Sequence, residues 1–351
     1  MITNVLSKID KGNMFNVLKE FGNQVYDAYE LAERVALKNI DLDRIKNIVI
    51  TGLGGSAIGG DLVRNAGLGE LKVPLTVNRH YTLPAFVGKD TLVIVSSYSG
   101  NTEETISSYK QAIKLKAQII CITSGGEVQR MAEKYKHNLF LIPQGYQPRC
   151  ALGYNFVSMW IALAKLKFVS KKTAEFKNVV KILRRNSTKY TVPDIVTNDA
   201  LRIAAVLKGK LPIIYSSVDN LEAVNLRWRG QLSENAKILA YGNLYPEMNH
   251  NELVGWKLNK NILKNIVVIF LEDSADHKRV KTRIAITKKI YQQYSDNIIS
   301  LSSRENTRFE RIFDLIYLGD WVSYYLAILN NVDPTPVEII NHLKSELAKI
   351  K

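Results

Sequence analysis

Short runs of apolar and β-branched residues alternate along the chain with longer segments in which apolar and polar positions are mixed. These runs cover residues 47–51, 75–79, 91–97, 117–123, 138–143, 211–217, 236–241, 265–271 and 296–303. Continuous apolar runs are typical of strands buried on both faces, and helical segments between them predict parallel sheets covered by helices. We therefore expect an α/β protein with two similar halves, each a mostly parallel sheet flanked by helices.

The same pattern divides the chain into five segments. We expect an N-terminal helical segment at 1–45, a first α/β domain at 46–152, a helical linker at 153–190, a second α/β domain at 191–332 and a C-terminal helix within 333–351. The segment "TPVE" predicts that Thr335 is the N-cap of that helix. Its proline would lie in the first turn, and its glutamate would complete a capping box. Lys344 then falls inside the apolar arc, either reaching the rim or directed into a cleft.

Composition narrows the classes of partner. With 351 residues and 46% hydrophobic content the chain can bury a large core. We expect a cytoplasmic protein with no membrane partner, because no apolar run reaches the roughly 18 to 20 residues of a membrane span and the N-terminus lacks a secretory pattern. Two cysteines, Cys121 and Cys150, and five histidines predict neither a disulfide framework nor a metal site.

The net charge of +15 would suit a polyanion, yet the basic residues are scattered and "HKRVKTR" at 277–283 is the only dense run. A nucleic-acid footprint is usually a patch or stripe with a recognisable module, so we expect no nucleic-acid partner. The charge would instead solvate helix faces or attract small anionic substrates.

A glycine-rich turn follows the first predicted strand, in "VITGLGGSAIGGDLVRN" at 49–65. Gly52, Gly54 and Ala57 fit the dinucleotide fingerprint G-x-G-x-x-A. That fingerprint needs an acidic residue after the second strand to bind the ribose, and "NRHYT" at 78–82 contains none. Arg79 in that segment would suit a 2′-phosphate, so NADP binding stays open as an alternative.

A second polar loop follows the third strand, in "SSYSGNTEET" at 96–105. Ser97, Ser99 and Thr102 surround a glycine where a helix must begin. Such residues either cap the helix or, with its free N–H groups, form a phosphate cradle. Because the carboxyl ends of parallel strands meet at one edge, two such loops together favour a phosphate site.

These motifs resemble a known family. The segments "GLGGSAIGGDL", "SSYSGNTEET", "TSGG" and "QPRCALGY" are similar to the sugar isomerase (SIS) domain, which binds sugar phosphates through serine and threonine side chains. In the second half, "RWRGQLSENAK", "PEMNHNELVGW" and "DPTPVEIINHLK" resemble the bifunctional phosphoglucose/phosphomannose isomerases of archaea and some bacteria. The resemblance extends over residues 20–350 with the motifs in the family's order, and implies two SIS-type domains.

The resemblance assigns Glu234 as the base of an aldose–ketose isomerisation. Glu234 lies near the C-terminus of a helix that we expect to start at about Asn220, where the helix dipole disfavours a charged carboxylate and so favours its use as a base. Without the motif, a surface glutamate paired with Lys237 would be the favoured interpretation. The resemblance also places Arg149 beside the enediolate, where a permanent positive charge stabilises oxyanion character; its alternative is a salt bridge at a strand end.

His250 matches the family's ring-opening histidine, which reaches the active site of the neighbouring subunit and so implies a homodimer. The sequence "NHNE" predicts Asn249 as an N-cap and Glu252 as its partner, with His250 in the first helical turn, where the dipole favours neutral imidazole. A capping or surface histidine is the alternative. By the same resemblance Lys344 assists ring opening and Thr335 lies near the sugar. The phosphate-binding residues would be Gly55, Ser56, Ser97, Ser99 and Thr102.

The expected activity is reversible interconversion of glucose 6-phosphate and mannose 6-phosphate with fructose 6-phosphate through an enediol(ate), without metal or cofactor. One rival is a non-catalytic SIS protein that senses a sugar phosphate. Another is a different SIS-type isomerase, such as one acting on amino-sugar phosphates, which would need a way to handle ammonia.

Overall fold

Two parallel β-sheets organise the computed structural model, which describes residues 8–350. The first sheet has the order β2-β1-β3-β4-β5 and the second the order β7-β6-β8-β9, and every strand pairing is parallel. The strands are β1 (Asn47–Thr51), β2 (Leu75–Asn78), β3 (Thr91–Ser97), β4 (Gln118–Thr123), β5 (Asn138–Leu141), β6 (Leu211–Ser217), β7 (Tyr241–Tyr245), β8 (Ile266–Glu272) and β9 (Ile298–Ser302).

Helices cover these sheets and connect the two halves. They are α1 (Met14–Lys19), α2 (Phe21–Arg34), α3 (Gly54–Ala66), α4 (Glu103–Lys114), α5 (Gly126–Tyr135), α6 (Leu152–Lys165), α7 (Thr173–Tyr190), α8 (Asp199–Leu207), α9 (Glu222–Ala236), α10 (Lys260–Leu263), α11 (Lys278–Tyr291), α12 (Arg308–Leu329) and α13 (Glu338–Leu347). Short 3-10 turns lie at Leu42–Arg44, Pro148–Cys150, Glu247–His250 and Glu252–Lys257. The prediction of a two-halved α/β fold is confirmed.

Burial on both faces explains why the strands read as continuous apolar runs. In β1, Ile48 and Ile50 pack into the large core that joins the two halves, whereas Val49 points into a separate cluster on the opposite face. Successive side chains of a strand point to opposite faces, so each face requires its own apolar set. The second sheet repeats the arrangement, with Ile269 in the shared core and Phe270 in the outer cluster.

The prediction of a strand at 236–241 is wrong. Helix α9 continues to Ala236, and Lys237 adopts the left-handed conformation that closes the helix. Ile238 then packs against the shared core, and β7 pairs with β6 only from Tyr241 onwards. The apolar run in the sequence is therefore a connection that borders the core, and the edge strand follows it.

The N-cap prediction for the last helix is also wrong. Helix α13 begins at Glu338, and its N-cap residue, Val337, makes no side-chain cap. Thr335 lies before the helix, where its backbone N–H donates to Asp333 Oδ1 at 2.9 Å and its carbonyl accepts a hydrogen bond from Arg149. These bonds hold the segment in a turn and delay the helix. Helix α13 has no buried residue among those described.

Helix α12 is the central helix of the shared core. By length and composition it could cross a membrane, with a mean hydropathy of 1.4, but 83% of that window is buried inside the protein. A Cβ atom on Gly319 would lie only 2.3 Å from Trp228 Nε1, so α12 and α9 approach too closely for any larger residue. This contact fixes α9, and with it Glu234, on the core.

Helices α3 and α9 join the two halves beside the first sheet. Arg64 Nη2 donates to Glu222 Oε2 at 3.0 Å, and the Ala223 N–H donates to Asn65 Oδ1 at 2.8 Å. The glycine-rich start of α3 and the C-terminal end of α9 belong to different domains. These contacts bring the two helices side by side.

Candidate active site

The glycine-rich turn after β1 packs directly on the turn that carries Arg149. Gly54 begins α3 with φ +51°, and a Cβ atom on Gly55 would lie 2.5 Å from the Pro148 carbonyl oxygen. Only glycine permits this approach. Leu53, the N-cap residue of α3, gives no side-chain cap, so the first-turn N–H groups have no such partner.

The serine-rich loop after β3 is tied to this turn. The Tyr98 N–H donates to Ser56 Oγ at 3.1 Å, and Ser97 Oγ donates to Thr102 Oγ1 at 3.1 Å. Thr102 is the N-cap residue of α4 but makes no side-chain cap. Ser99 is exposed, and its Oγ accepts from the Asn101 N–H at 3.3 Å. The structure thus brings Ser56, Ser97 and Thr102 together, and capping does not explain Thr102.

The "TSGG" segment at 123–126 packs against the serine-rich loop after β3. Ser124 Oγ donates to the Tyr98 carbonyl at 2.6 Å. A Cβ atom on Gly100 would lie 1.8 Å from the Gly125 carbonyl oxygen, and Gly100 has φ +70°. Glycine at this position lets the two loops touch through their backbones, so the segment shapes the serine-rich loop.

Arg149 is buried and held by four partners. Its Nε donates to Asn235 Oδ1 at 2.7 Å, and its Nη2 donates to the carbonyls of Pro334 and Thr335, both at 2.8 Å. Its Nη1 lies 3.4 Å from Glu234 Oε2. A guanidinium group suits such an arrangement because its donors point in fixed directions from a planar fork.

Glu234 lies in the last turn of α9, as predicted. Its side chain is 31% exposed, and its carboxylate is directed towards Arg149. The alternative pairing with Lys237 is wrong, because Lys237 Nζ donates to the backbone carbonyls of Glu234 at 2.5 Å and Pro336 at 2.6 Å. Burial lowers the pKa of Lys237, and the nearby Arg149 charge lowers it further. Glu234 therefore keeps one carboxylate edge available.

A cavity of about 170 Å³ separates α3 from α9 and includes both Arg149 and Glu234. The hydroxyl groups of Ser97, Ser99 and Thr102 do not line it. The residues that do are Gly54, Gly55, Ile58, Arg79, Arg149, Leu226, Arg227, Gly230, Gln231 and Glu234.

Arg79 also lines this cavity. From the sequence it was considered only as a ligand for the 2′-phosphate of NADP. The structure pairs it with the buried carboxylate of Asp61 on α3. Burial raises the pKa of Asp61, against the opposing effect of the Arg79 charge. The signal in the sequence was the position directly after β2, at the same sheet edge as the glycine-rich turn.

His250 lies apart from Glu234 within the single chain. It is exposed and ends the 3-10 turn Glu247–His250, which follows the carboxyl end of β7. The predicted first-turn position is wrong. Asn251, and not Asn249, caps the next turn by accepting from the Glu252 N–H at 2.6 Å. The chain turns again at Asn251, which leaves His250 between two short turns.

Lys344 is likewise not brought to the cavity. It is exposed on α13, so of the two alternatives the cleft is wrong for the described chain and the lysine reaches solvent. No described residue of α13 is buried, which is why a lysine within its apolar arc stays in solvent. Thr335 does reach the site, but through its carbonyl. A Cβ atom on Gly12 would lie 2.1 Å from Thr335 Oγ1, so its side chain faces the N-terminal segment.

Comparison with known proteins identifies the family of this chain. A family model of the bacterial phospho-glucose isomerase C-terminal SIS domain matches residues 196–347, and a SIS domain model matches residues 41–161. A bifunctional phosphoglucose/phosphomannose isomerase of Caldicellulosiruptor bescii is 44% identical over 96% of this chain and 100% of its own length. The chain belongs to this family.

Further similarities fit the same family and fold. The Aquifex aeolicus member of the family is 35% identical over 96% of this chain and 98% of its own length. Among solved structures, the C-terminal domain of glucosamine-fructose-6-phosphate aminotransferase from Francisella tularensis superposes with a TM-score of 0.74 at 17% identity, covering 92% of this chain and 98% of that one. This last similarity concerns the fold alone. The prediction of two SIS domains is confirmed.

Proposed function

We propose that the protein interconverts glucose 6-phosphate and mannose 6-phosphate with fructose 6-phosphate through an enediol(ate) intermediate. The observation that carries the proposal is the contact of Arg149 with Glu234 beside the uncapped, glycine-rich start of α3. A fixed cation, a carboxylate and a helix N-terminus are the groups that such a reaction on a phosphorylated sugar needs.

The substrate phosphate binds where α3 and α4 begin. Neither helix has a side-chain cap, so their N–H groups and dipoles favour an anion there. Gly55 offers a backbone N–H with no side chain in the way. The hydroxyl groups that complete the site are those of Ser56, Ser97, Ser99 and Thr102.

Glu234 acts as the base that moves a proton between C1 and C2. Starting from the open-chain ketose, its carboxylate removes a proton from C1, and the electron pair forms the C1–C2 double bond of the enediolate. Arg149 stabilises the negative charge on the oxygen. The hydroxyl proton on O1 passes to O2, and return of the carbon-bound proton from Glu234 to C2 gives the aldose. Rotation about the C2–C3 bond before that return lets either epimer form. The predicted contact of Thr335 with the sugar is not part of this proposal, because its hydroxyl faces Gly12 and its carbonyl holds Arg149.

Ring opening falls to His250 of a second copy, with Lys344 assisting. Helix α9 starts near the carboxyl edge of the second sheet, where the Val218 N–H donates to the Tyr245 carbonyl at 3.0 Å shortly before His250. Glu234 lies about 18 Å farther along α9, at about 1.5 Å per residue. Within one chain, Glu234 and His250 are therefore too far apart to act on the same sugar, so a partner must supply His250.

Two exposed apolar areas support such a homodimer. One adjoins His250 and includes Val254, 81% exposed, and Leu258, 69% exposed. The other adjoins Glu234 and includes Leu239, 66% exposed, and Ile339, 87% exposed. In a two-fold dimer each contact occurs twice, so the first area of one copy can cover the second area of the other at both sites. That arrangement would also bury the apolar face of α13 around Lys344.

Turnover of fructose 6-phosphate in the presence of EDTA tests the proposal. We expect both glucose 6-phosphate and mannose 6-phosphate to form at the rate seen without EDTA. Among residues 8–350, no three histidine, cysteine, aspartate or glutamate side chains are grouped to hold a metal ion. Binding of fructose 6-phosphate with no product would favour the sugar-phosphate sensor. Formation of glucosamine 6-phosphate only when ammonia is added would favour an amino-sugar isomerase.

A further inference from the structure

Buried hydrogen bonds from α9 and α12 hold Arg149 at both its side chain and its backbone. Arg149 Nε donates to Asn235 Oδ1 at 2.7 Å. Asn235 Nδ2 donates in turn to Ser323 Oγ at 3.0 Å, and Ser323 Oγ donates to the Asp320 carbonyl at 2.7 Å. Asn235 and Ser323 are fully buried. The Asn235 amide therefore has a fixed orientation, with its oxygen towards Arg149.

The hydrogen bonds through Asn235 and Ser323 form the first arm of this network, and a second arm reaches the backbone of Arg149. Arg227 Nη2 donates to the Arg149 carbonyl at 3.1 Å and to Asp320 Oδ2 at 2.8 Å. Gln231 Nε2 donates to Asp320 Oδ1 at 3.0 Å. The two arms meet at Asp320, which is buried in the middle of α12. They form a closed ring of hydrogen bonds that returns to Arg149.

The acceptors of the Arg149 guanidinium group are neutral except for Glu234. Asn235 Oδ1 and the carbonyls of Pro334 and Thr335 orient the group without cancelling its charge. A carboxylate at position 235 would occupy the same volume but would neutralise the cation. The charge that remains is directed to the edge that faces Glu234.

We propose that Asn235 is a positioning residue, which aims the Arg149 guanidinium group at the reacting oxygens and keeps its charge available. This inference rests on the proposed function, in which Arg149 stabilises the enediolate. Asn235 touches no substrate and acts only through Arg149. Because the stabilised charge develops in the transition state, loss of Asn235 should lower kcat and leave KM nearly unchanged.

A double-mutant cycle with Arg149 tests the inference. Asn235→Leu removes the acceptor at similar volume, and we expect kcat for fructose 6-phosphate to fall about 10²-fold, as a small displacement of a catalytic group does. Asn235→Asp should lower kcat as well, because it neutralises Arg149. In an Arg149→Met background, the substitution Asn235→Leu should change kcat by less than about threefold, since coupled residues are not additive.

A matched control separates positioning from folding. Asn225 lies on the same helix and is equally buried, but its amide donates to the Ile214 carbonyl of β6 at 2.9 Å and not towards Arg149. Asn225→Leu should change kcat by the same factor in the wild-type and the Arg149→Met backgrounds. If Asn235→Leu does not fold, Ser323→Ala removes the outer acceptor of the Asn235 amide and takes its place in the cycle.

Each outcome of the cycle is decisive. Non-additive losses at Asn235 with additive effects at Asn225 support the inference. Equal losses from Asn235→Leu in both backgrounds would overturn it while leaving the role of Arg149 intact. An unchanged kcat in Arg149→Met alone would remove Arg149 from the proposed function, and the positioning role would fall with it.

Discussion

Arg149 and Glu234 stand 3.4 Å apart, Nη1 to Oε2, although 85 residues separate them in the sequence. One follows the first sheet and the other ends a helix of the second domain, so the pair exists only when both halves are folded together. The pair adjoins the start of α3, which the contact between Gly55 and Pro148 brings to the same point. The candidate site is thus a product of the interface between the domains.

Replacing Arg149 by lysine should reduce kcat about 10²- to 10³-fold, the usual loss when a group that stabilises an oxyanion is removed. A lysine cannot reproduce the planar fork that reaches Asn235 and the carbonyls of Pro334 and Thr335 together. Steady-state assays with fructose 6-phosphate measure the loss. Arg130→Lys, at an exposed arginine, is the control and should leave kcat unchanged. Wild-type turnover in Arg149→Lys would contradict the assigned role.

Mixing two inactive variants tests whether His250 is supplied by a partner. Glu234→Gln and His250→Asn should each be inactive alone. Unfolding and refolding them together should restore about a quarter of wild-type activity, because half the dimers are mixed and each mixed dimer has one intact site. Activity of the mixture is measured against each variant refolded alone. No recovery in a sample that sizing shows to be dimeric would place His250 outside the neighbouring site.

Gly55→Ala should destabilise the protein by about 1–3 kcal/mol, the usual cost of overpacking. The new Cβ atom would lie 2.5 Å from the Pro148 carbonyl oxygen and 3.1 Å from Arg149 Cα. KM should rise too, since α3 and Arg149 must move apart. Urea denaturation and steady-state kinetics measure the two effects. Gly69→Ala, where a Cβ atom meets nothing within 4 Å, is the control and should leave both quantities nearly unchanged.

Asp314→Asn should stabilise the protein at pH 7 more than at pH 4. Burial raises the pKa of Asp314 above its ordinary 3.8, and the Glu305 charge adds to this, against the hydrogen bonds from Ser303 and Asn186 and the charge of Arg185. A raised carboxyl pKa gives stability that is present below pH 3.8 and lost as pH rises through the folded-state pKa. Asparagine does not ionise, so the variant escapes that loss.

Urea denaturation at both pH values measures the effect of Asp314→Asn. Asp90→Asn is a control of opposite sign, because Arg44 holds the pKa of Asp90 below its ordinary value. That variant should be less stable than wild type at pH 7, and the difference should shrink on acidification. A gain from Asp314→Asn that is equal at both pH values would contradict the assigned shift.

The sequence predicted features that depend on local pattern. The apolar runs located eight of the nine strands within residues 8–350, because strands buried on both faces need uninterrupted apolar residues. The glycine and serine loops after β1 and β3 were found because parallel strands bring their carboxyl ends to one edge. Glu234 at a helix C-terminus followed from the length of the preceding helical segment.

Features that depend on distant partners were not predictable. Arg149 is held by the backbone carbonyls of Pro334 and Thr335, and every residue type carries such an acceptor, so they leave no signal in the sequence. Asn235 looks like any helical asparagine until its contacts with Arg149 and Ser323 are known. The late start of α13 follows from the same contacts with Arg149, which hold the predicted N-cap residue in a turn.

Solvent exchange during turnover tests the central claim, that Glu234 transfers the proton between C1 and C2. Fructose 6-phosphate is incubated in D₂O with wild-type protein, Glu234→Gln and the control Glu222→Gln, at the other end of the same helix. NMR should find deuterium at C2 of both glucose 6-phosphate and mannose 6-phosphate with wild type and with Glu222→Gln, and neither product nor exchange at C1 with Glu234→Gln. Product formation, or exchange at C1, that survives in Glu234→Gln at the level seen with Glu222→Gln would contradict the account.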